Sequence, residues 1–167
     1  MNSKASPAPD VISALQAALA AENAASYRYG VAGAHLAGAQ RAAARRGWAA
    51  HQAARDSLST LLLARGGKPV PAAAAYQLPF RVRTPRAAAA LAAYLEDRVT
   101  SAYLGLVALR DPRLRTLGAL GVRSAALRAA AWRGRTLAFP GLDVPPPRVP
   151  GSRPPTAKGA RSPSATP

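Results

Sequence analysis

Three ionisable residues, Glu22, His51 and Glu96, fall on the apolar stripes of predicted helices. The chain has only two glutamates, and both lie in the middle of such a stripe, on different helices. A buried carboxylate without a partner is costly, so each must be protonated, paired with a cation or bound to a metal ion. The sequence therefore predicts one internal site where two carboxylates and an imidazole meet.

The stripes consist of residues that recur at intervals of three, four or seven along three segments, which places them on one face of a helix. Tyrosines on or beside the stripes are predicted to donate phenolic hydrogen bonds to the buried carboxylates. The stripe members are Leu15, Glu22, Tyr29 and Leu36; Trp48, His51, Arg55, Leu58 and Leu62; and Ala92, Glu96, Val99, Tyr103 and Leu106.

Four helices are predicted to position this site. A capping residue begins three of them, followed in two cases by a proline suited to the first turn, and glycines end the second. The first and last pairs are joined by short links, typical of antiparallel hairpins, whereas residues 66–83 are long enough to traverse a bundle. The predicted helices span about residues 10–37, 40–65, 84–110 and 111–135.

Composition favours an all-α protein with a single core. Of the 167 residues 49% are apolar, largely alanine, and only 5% are aromatic. We assign residues 10–142 to a four-helix bundle of two antiparallel hairpins joined by a long crossover. Residues 1–9 and the basic, proline-rich residues 143–167 are predicted to be disordered. The absence of cysteine excludes disulfides, thiolate catalysis and cysteine-ligated zinc.

The formal charge of +16 has two interpretations. It attracts nucleic acid or an acidic protein partner, or it reflects the arginine enrichment of a GC-rich genome. The N-terminal residues lack the apolar region of a signal peptide, and no long uncharged apolar segment follows. The sequence therefore predicts a cytoplasmic protein without membrane insertion, and it leaves homodimerisation open.

Several motifs carry a resemblance to a known superfamily: AALAAENAASYRYGVAGAHL, WAAHQAARDSLSTLLLARGGKPVP, YQLPF, LAAYLEDRVTSAYLGLV and WRGRTLAFPGL. Over about residues 10–142 the chain resembles ferritin-like proteins, in particular a ferritin-like domain-of-unknown-function family of high-GC bacteria. Such bundles hold two metal ions with single glutamates from two helices and Glu-x-x-His from the other two. The resemblance implies that Glu22 and Glu96 match the single glutamates and that His51 matches one histidine.

The sequence departs from the ferritin-like ligand pattern on the second and the fourth helix. Trp48 stands where the second helix should supply a glutamate, and the fourth helix has neither acid nor histidine between residues 112 and 135. At the corresponding depth that helix offers Arg123 and Arg128 instead. A di-iron centre of the usual kind is therefore not expected.

Three functions remain open for this degenerate centre. In the first, Arg55, Arg123 or Arg128 forms buried ion pairs with the glutamates, no cofactor is bound, and the chain is a structural or interaction module. In the second, Glu22, His51 and Glu96 hold a single iron, manganese or zinc ion with an oxidase or metal-handling role. In the third, the arginine-rich surface binds nucleic acid or acidic partners.

The sequence lacks the other common signatures of catalysis. It contains no nucleophile–base pair, glycine-rich phosphate loop or nucleotide-binding fingerprint. A non-enzymatic role is favoured for this reason, and the first of the three functions is the one we expect.

Overall fold

The computed structural model describes residues 10–142, and the predictions made for residues 1–9 and 143–167 lie outside the described residues. Four helices and no strand occur in the described part of the chain. The helices are α1 (Val11–Ala34), α2 (Gly38–Leu63), α3 (Pro85–Val107) and α4 (Pro112–Arg133). Within residues 10–142, no helix combines the length and the apolar character that crossing a membrane requires.

Side-chain caps fix the start of three helices, as the sequence predicts. Asp10 accepts hydrogen bonds from the backbone N–H groups of the first turn of α1, and Asp111 does the same for α4. Thr84 caps α3 through the backbone N–H of Ala87, at 3.1 Å, and Pro85 follows it. These contacts satisfy backbone donors that have no partner within the helix.

Two clusters of buried residues define how the helices are oriented. Leu15, near the start of α1, lies in one cluster with Leu106, near the end of α3. Leu36, just after α1, lies in the other cluster with Ala88, near the start of α3. Helices α1 and α3 are therefore antiparallel, and α1 is also antiparallel to α2 because a short link joins them. It follows that α2 and α3 run in the same direction.

The long link between α2 and α3 follows the surface of α1. The side chain of Gln16 binds the link at two points, donating to the carbonyl of Lys68 at 2.5 Å and accepting from the N–H of Val70 at 3.0 Å. Three turns later, Arg28 donates to the carbonyl of Gln77 at 2.8 Å. The link thus covers roughly 18 Å of α1, at 1.5 Å of rise per residue.

The helices do not pack equally against one another. Helix α1 packs against α2 and α3, and α4 packs against α3. Across residues 10–142, α2 and α4 share no interface of comparable extent. This arrangement leaves a cleft between α2 and α4 that leads towards the centre of the bundle.

Gly118 allows the close approach of α3 and α4. A Cβ atom at this position would lie 2.7 Å from the backbone nitrogen of Val107, which cannot move without shifting α3. Gly118→Ala is therefore expected to lower the free energy of unfolding by roughly 1–3 kcal/mol, measured by urea denaturation.

Gly105 provides the matched control for this prediction. A Cβ atom there meets no atom within 4 Å. Because alanine favours helix formation over glycine, Gly105→Ala should leave stability unchanged or raise it by up to about 1 kcal/mol. Similar effects of the two substitutions would mean that Gly118 does not set the distance between α3 and α4.

Candidate functional site

The structure brings Glu22, His51 and Glu96 together at the centre of the bundle. The imidazole of His51 lies between the two carboxylates, with Nδ1 2.6 Å from Glu22 Oε2 and Nε2 3.2 Å from Glu96 Oε1. All three residues are buried, with exposed fractions of 2% or less. Three helices, α1, α2 and α3, thus each contribute one ionisable group to the same point.

Arg128 of α4 completes this central cluster. Its Nε–H donates to Glu96 Oε1 at 2.7 Å, and this salt bridge joins α4 to α3. Burial alone would raise the pKa of Glu96, but the hydrogen bonds and charges of His51 and Arg128 outweigh burial and hold that pKa below its usual range. The same carboxylate raises the pKa of Arg128 against the opposing effect of burial.

His51 carries a positive charge at neutral pH. Burial alone would lower the pKa of this imidazole, but its hydrogen bonds to Glu22 and Glu96 and their charges raise the pKa to about 9. The central cluster therefore contains two carboxylates, one imidazolium and one guanidinium. These charges cancel, which is the condition under which ionised groups can remain buried.

Aromatic residues extend the hydrogen bonding of the central cluster. Tyr29 donates its hydroxyl proton to Glu96 Oε1 at 2.6 Å, and the indole N–H of Trp132 donates to the Tyr29 oxygen at 2.8 Å. Glu96 Oε1 therefore accepts from Tyr29, His51 and Arg128 together. Burial raises the pKa of the Tyr29 hydroxyl, and the charge of Glu96 adds to this effect.

Tyr103 lies on the Glu22 side of the central cluster. Burial raises the pKa of its hydroxyl, and the charge of Glu22 raises it further. Two glycines accommodate the tyrosine rings, because a Cβ at Gly47 would collide with Tyr29 and a Cβ at Gly121 would collide with Tyr103. Backbone packing thus fixes the rings whose hydroxyl groups approach the carboxylates.

The structure corrects two of the three arginines proposed as partners of the glutamates. Arg55 pairs with the adjacent Asp56 at 2.8 Å rather than with either glutamate, and 34% of the arginine side chain is exposed. Arg123 is exposed. The buried face of α4 is marked by Ala125, and two residues of an α-helix correspond to about 200°, so Arg123 points the opposite way.

The position of Trp48 also differs from its predicted place on the stripe. Its side chain is 42% exposed and lies at the surface between α1 and α2, away from the cleft between α2 and α4. Packing in the hydrophobic core therefore does not explain why a tryptophan occupies this position.

A second buried ion pair was not predicted from the sequence. Asp97 is 4% exposed and pairs with Arg133 at the end of α4. Asp97 is not a member of the predicted stripe on α3, because each stripe corresponds to a single buried face of its helix. Helix α3 packs against both α1 and α4, so two of its faces are buried. The basic residue in the last turn of α4 was the available signal for the partner.

A cavity of about 250 Å³ lies between α2 and α4, next to the central cluster. Its lining includes Glu22, His51, Tyr103 and Arg128 as well as apolar side chains such as Leu120. Within residues 10–142, no group of three or more histidine, aspartate or glutamate side chains is arranged to hold a metal ion. The His51 ring explains this geometry, because it places the two glutamates on opposite sides of itself.

This fold and this cluster define an all-α bundle with buried ion pairs between its helices. Residues 14–144 match the family model described as Domain of unknown function (DUF4439), so the chain belongs to that family. A similar solved structure is the crystal structure of a conserved hypothetical protein, rv2844, from Mycobacterium tuberculosis. The two share 30% sequence identity with a TM-score of 0.70, over 72% of this chain and 92% of that chain. No curated protein matches the chain.

Proposed function

We propose that the protein is a ferritin-like bundle whose metal centre has been replaced by buried ion pairs, and that it serves as a structural or interaction module. The observation that carries this proposal is the His51 imidazolium between Glu22 and Glu96, with Arg128 on the second carboxylate. In a ferritin-like metal centre, metal ions balance the negative charge of the carboxylates. In the proposed arrangement, His51 and Arg128 balance that charge instead.

The course of the chain supports the ferritin-like part of the proposal. In that fold, two helical hairpins are joined by a long crossover, so that the second and third helices run in the same direction. Helices α2 and α3 run in the same direction here, and the link from residue 64 to residue 84 follows α1. The fourth helix contributes Arg128 to the central cluster and contains no Glu-x-x-His motif.

The alternative is a single iron, manganese or zinc ion bound by Glu22, His51 and Glu96. Their convergence beside a cavity favours this function. A metal ligand, however, must be a neutral imidazole, and the pKa of His51 near 9 makes protons strong competitors for it. The ring would also have to turn away from at least one carboxylate.

Metal analysis separates the two functions. Protein purified without chelator should contain far less than one equivalent of iron, manganese or zinc, and EDTA should leave its unfolding temperature unchanged, because His51 and Arg128 already neutralise the carboxylates. The measurement is elemental analysis together with thermal unfolding.

Variants of the central cluster supply the control for this experiment. Glu22→Gln and His51→Ala should have the same low metal content as the wild type. Stoichiometric metal in the wild type that is lost in both variants would overturn the proposal and establish the mononuclear site.

A further inference from the structure

A second pocket lies between α1 and α2, at the surface and away from the cavity that borders Glu22 and His51. This α1/α2 pocket has a volume of about 350 Å³, within the range of small-molecule sites. Gly30 and Gly33 of α1 form one side, and Arg41, Arg45 and Trp48 of α2 form the other. The central cluster does not use any of these five residues.

The glycines keep the pocket open without a packing reason inside the chain. A Cβ at Gly30 meets no atom within 4 Å, and one at Gly33 makes only an ordinary contact at 3.9 Å. By contrast, Gly47 is required because a Cβ there would collide with Tyr29. Glycine within a helix is destabilising relative to alanine, and α1 is otherwise rich in alanine. The space above Gly30 is therefore kept open at a cost in stability.

The opposite side of the pocket is cationic and aromatic. Arg41, Arg45 and Trp48 are spaced by four and three residues, so α2 presents them on one face. Neither arginine pairs with an acid within the described residues, and the only side-chain hydrogen bond of Arg41 there goes to the carbonyl of Leu36, from Nε. The exposed indole of Trp48 supplies a flat apolar surface. At protein interfaces, arginine and tryptophan are among the residues most enriched at the positions that contribute most to the binding free energy.

We propose that the α1/α2 pocket binds a small organic anion with a flat apolar body, of which aryl carboxylates are the simplest examples. The carboxylate pairs with Arg41 and Arg45, whose guanidinium groups present planar forks of donors that match it. The ring packs between Trp48 and the space above Gly30. Tyr29, which donates to Glu96, also lines the pocket, but none of the charged residues of the central cluster does. The proposal therefore does not depend on the function proposed for the buried ion pairs.

Titration with 4-phenylbutyrate tests the proposal. By calorimetry, the wild type should bind one equivalent with a dissociation constant below about 1 mM, a modest affinity for a ligand of this size. The neutral analogue 4-phenylbutanamide should bind at least about tenfold more weakly, because it lacks the charge-assisted hydrogen bonds. Tryptophan fluorescence should respond to the acid in the wild type, and this response should be lost in Trp48→Phe.

A filled pocket gives the sharpest control. Gly30→Leu should abolish binding while the protein stays folded, since its Cβ enters open space and leucine favours a helix. Gly105→Leu, another helical glycine with open space at its Cβ, should bind like the wild type. The double variant Arg41→Gln with Arg45→Gln should lose at least about tenfold in affinity.

Three results would overturn the proposal. The first is the absence of binding at several millimolar for 4-phenylbutyrate, phenylacetate and 2-naphthoate alike. The second is equal affinity for the acid and the amide. The third is unchanged binding by folded Gly30→Leu.

Discussion

Replacing Glu96 with alanine is expected to lower the free energy of unfolding by about 3–5 kcal/mol. Glu96 Oε1 accepts hydrogen bonds from Tyr29, His51 and Arg128, and the residue is fully buried. Its removal leaves the partly buried Arg128 without its carboxylate and the buried His51 with only one, so positive charge in and beside the core loses its compensation. Urea denaturation at pH 6 measures the loss.

An exposed ion pair supplies the control for Glu96→Ala. Asp56 pairs with Arg55 at 2.8 Å, but 67% of the aspartate side chain is exposed, so water screens the interaction. Asp56→Asn should therefore change stability by less than about 1 kcal/mol. If the two substitutions had equal effects, the central cluster would not be the main electrostatic contribution to the fold.

A double-mutant cycle tests whether Glu96 acts through Arg128. Truncating both residues should cost clearly less than the sum of the two single changes, with an interaction free energy of at least about 1 kcal/mol. Additive effects would show instead that Glu96→Ala acts through its contacts with His51 and Tyr29 or through the cavity it leaves. The cycle thus isolates the contribution of the Glu96–Arg128 pair.

The sequence alone was sufficient for the helices and for much of the central cluster. Asp10, Thr84 and Asp111 have local effects, because each caps the helix that follows it. Glu22, His51 and Glu96 could be identified because the spacing of residues along a helix is enough to place an ionisable residue on its apolar face. These predictions required no knowledge of how one helix is turned against another.

The partner of Glu96 could not be read in the same way. Arg123 and Arg128 are five residues apart, about 140° around α4, so the rotation of α4 decides which one faces inward. That rotation depends on close approaches such as Gly118 against Val107 and Gly121 against Tyr103. Nothing in the spacing along α4 shows that these glycines contact α3.

The hydrogen bond from Trp132 to Tyr29 could not be predicted from the sequence for a related reason. It joins residues at the end of α4 and late in α1, and these helices are brought together only by their common packing on α3. Contacts between elements distant in sequence depend on the completed fold. The same holds for Asp97 and Arg133, which become partners only because α3 is buried on two faces.

The stability of the protein is expected to fall as the pH rises from about 6.5 to 9. The pKa of His51 is about 9 in the folded protein against 6.5 for an unperturbed imidazole. A raised pKa means that folding favours the protonated form, so this contribution is complete below pH 6.5 and is lost as the pH rises through 9. At 1.36 kcal/mol per pKa unit, the loss is on the order of 3 kcal/mol.

The acid side of the profile has the opposite sign. The pKa of Glu96 is lowered below its ordinary value of 4.5, so its contribution is present above that pH and is lost as the pH falls through the lowered pKa. Maximum stability should therefore lie at about pH 5–6.5, between the windows in which Glu96 and His51 titrate. Urea denaturation at half-unit steps from pH 3 to 9.5 records both sides of the profile.

The two histidines of the chain allow the alkaline decline to be assigned. His51→Gln should be less stable at pH 6 and nearly flat between pH 6.5 and 9, because it removes the group that titrates in that window. His35 is exposed, so His35→Gln should keep the wild-type slope. A slope that survives in His51→Gln would place the titrating group elsewhere, and the central cluster would then not hold a charged imidazole at neutral pH.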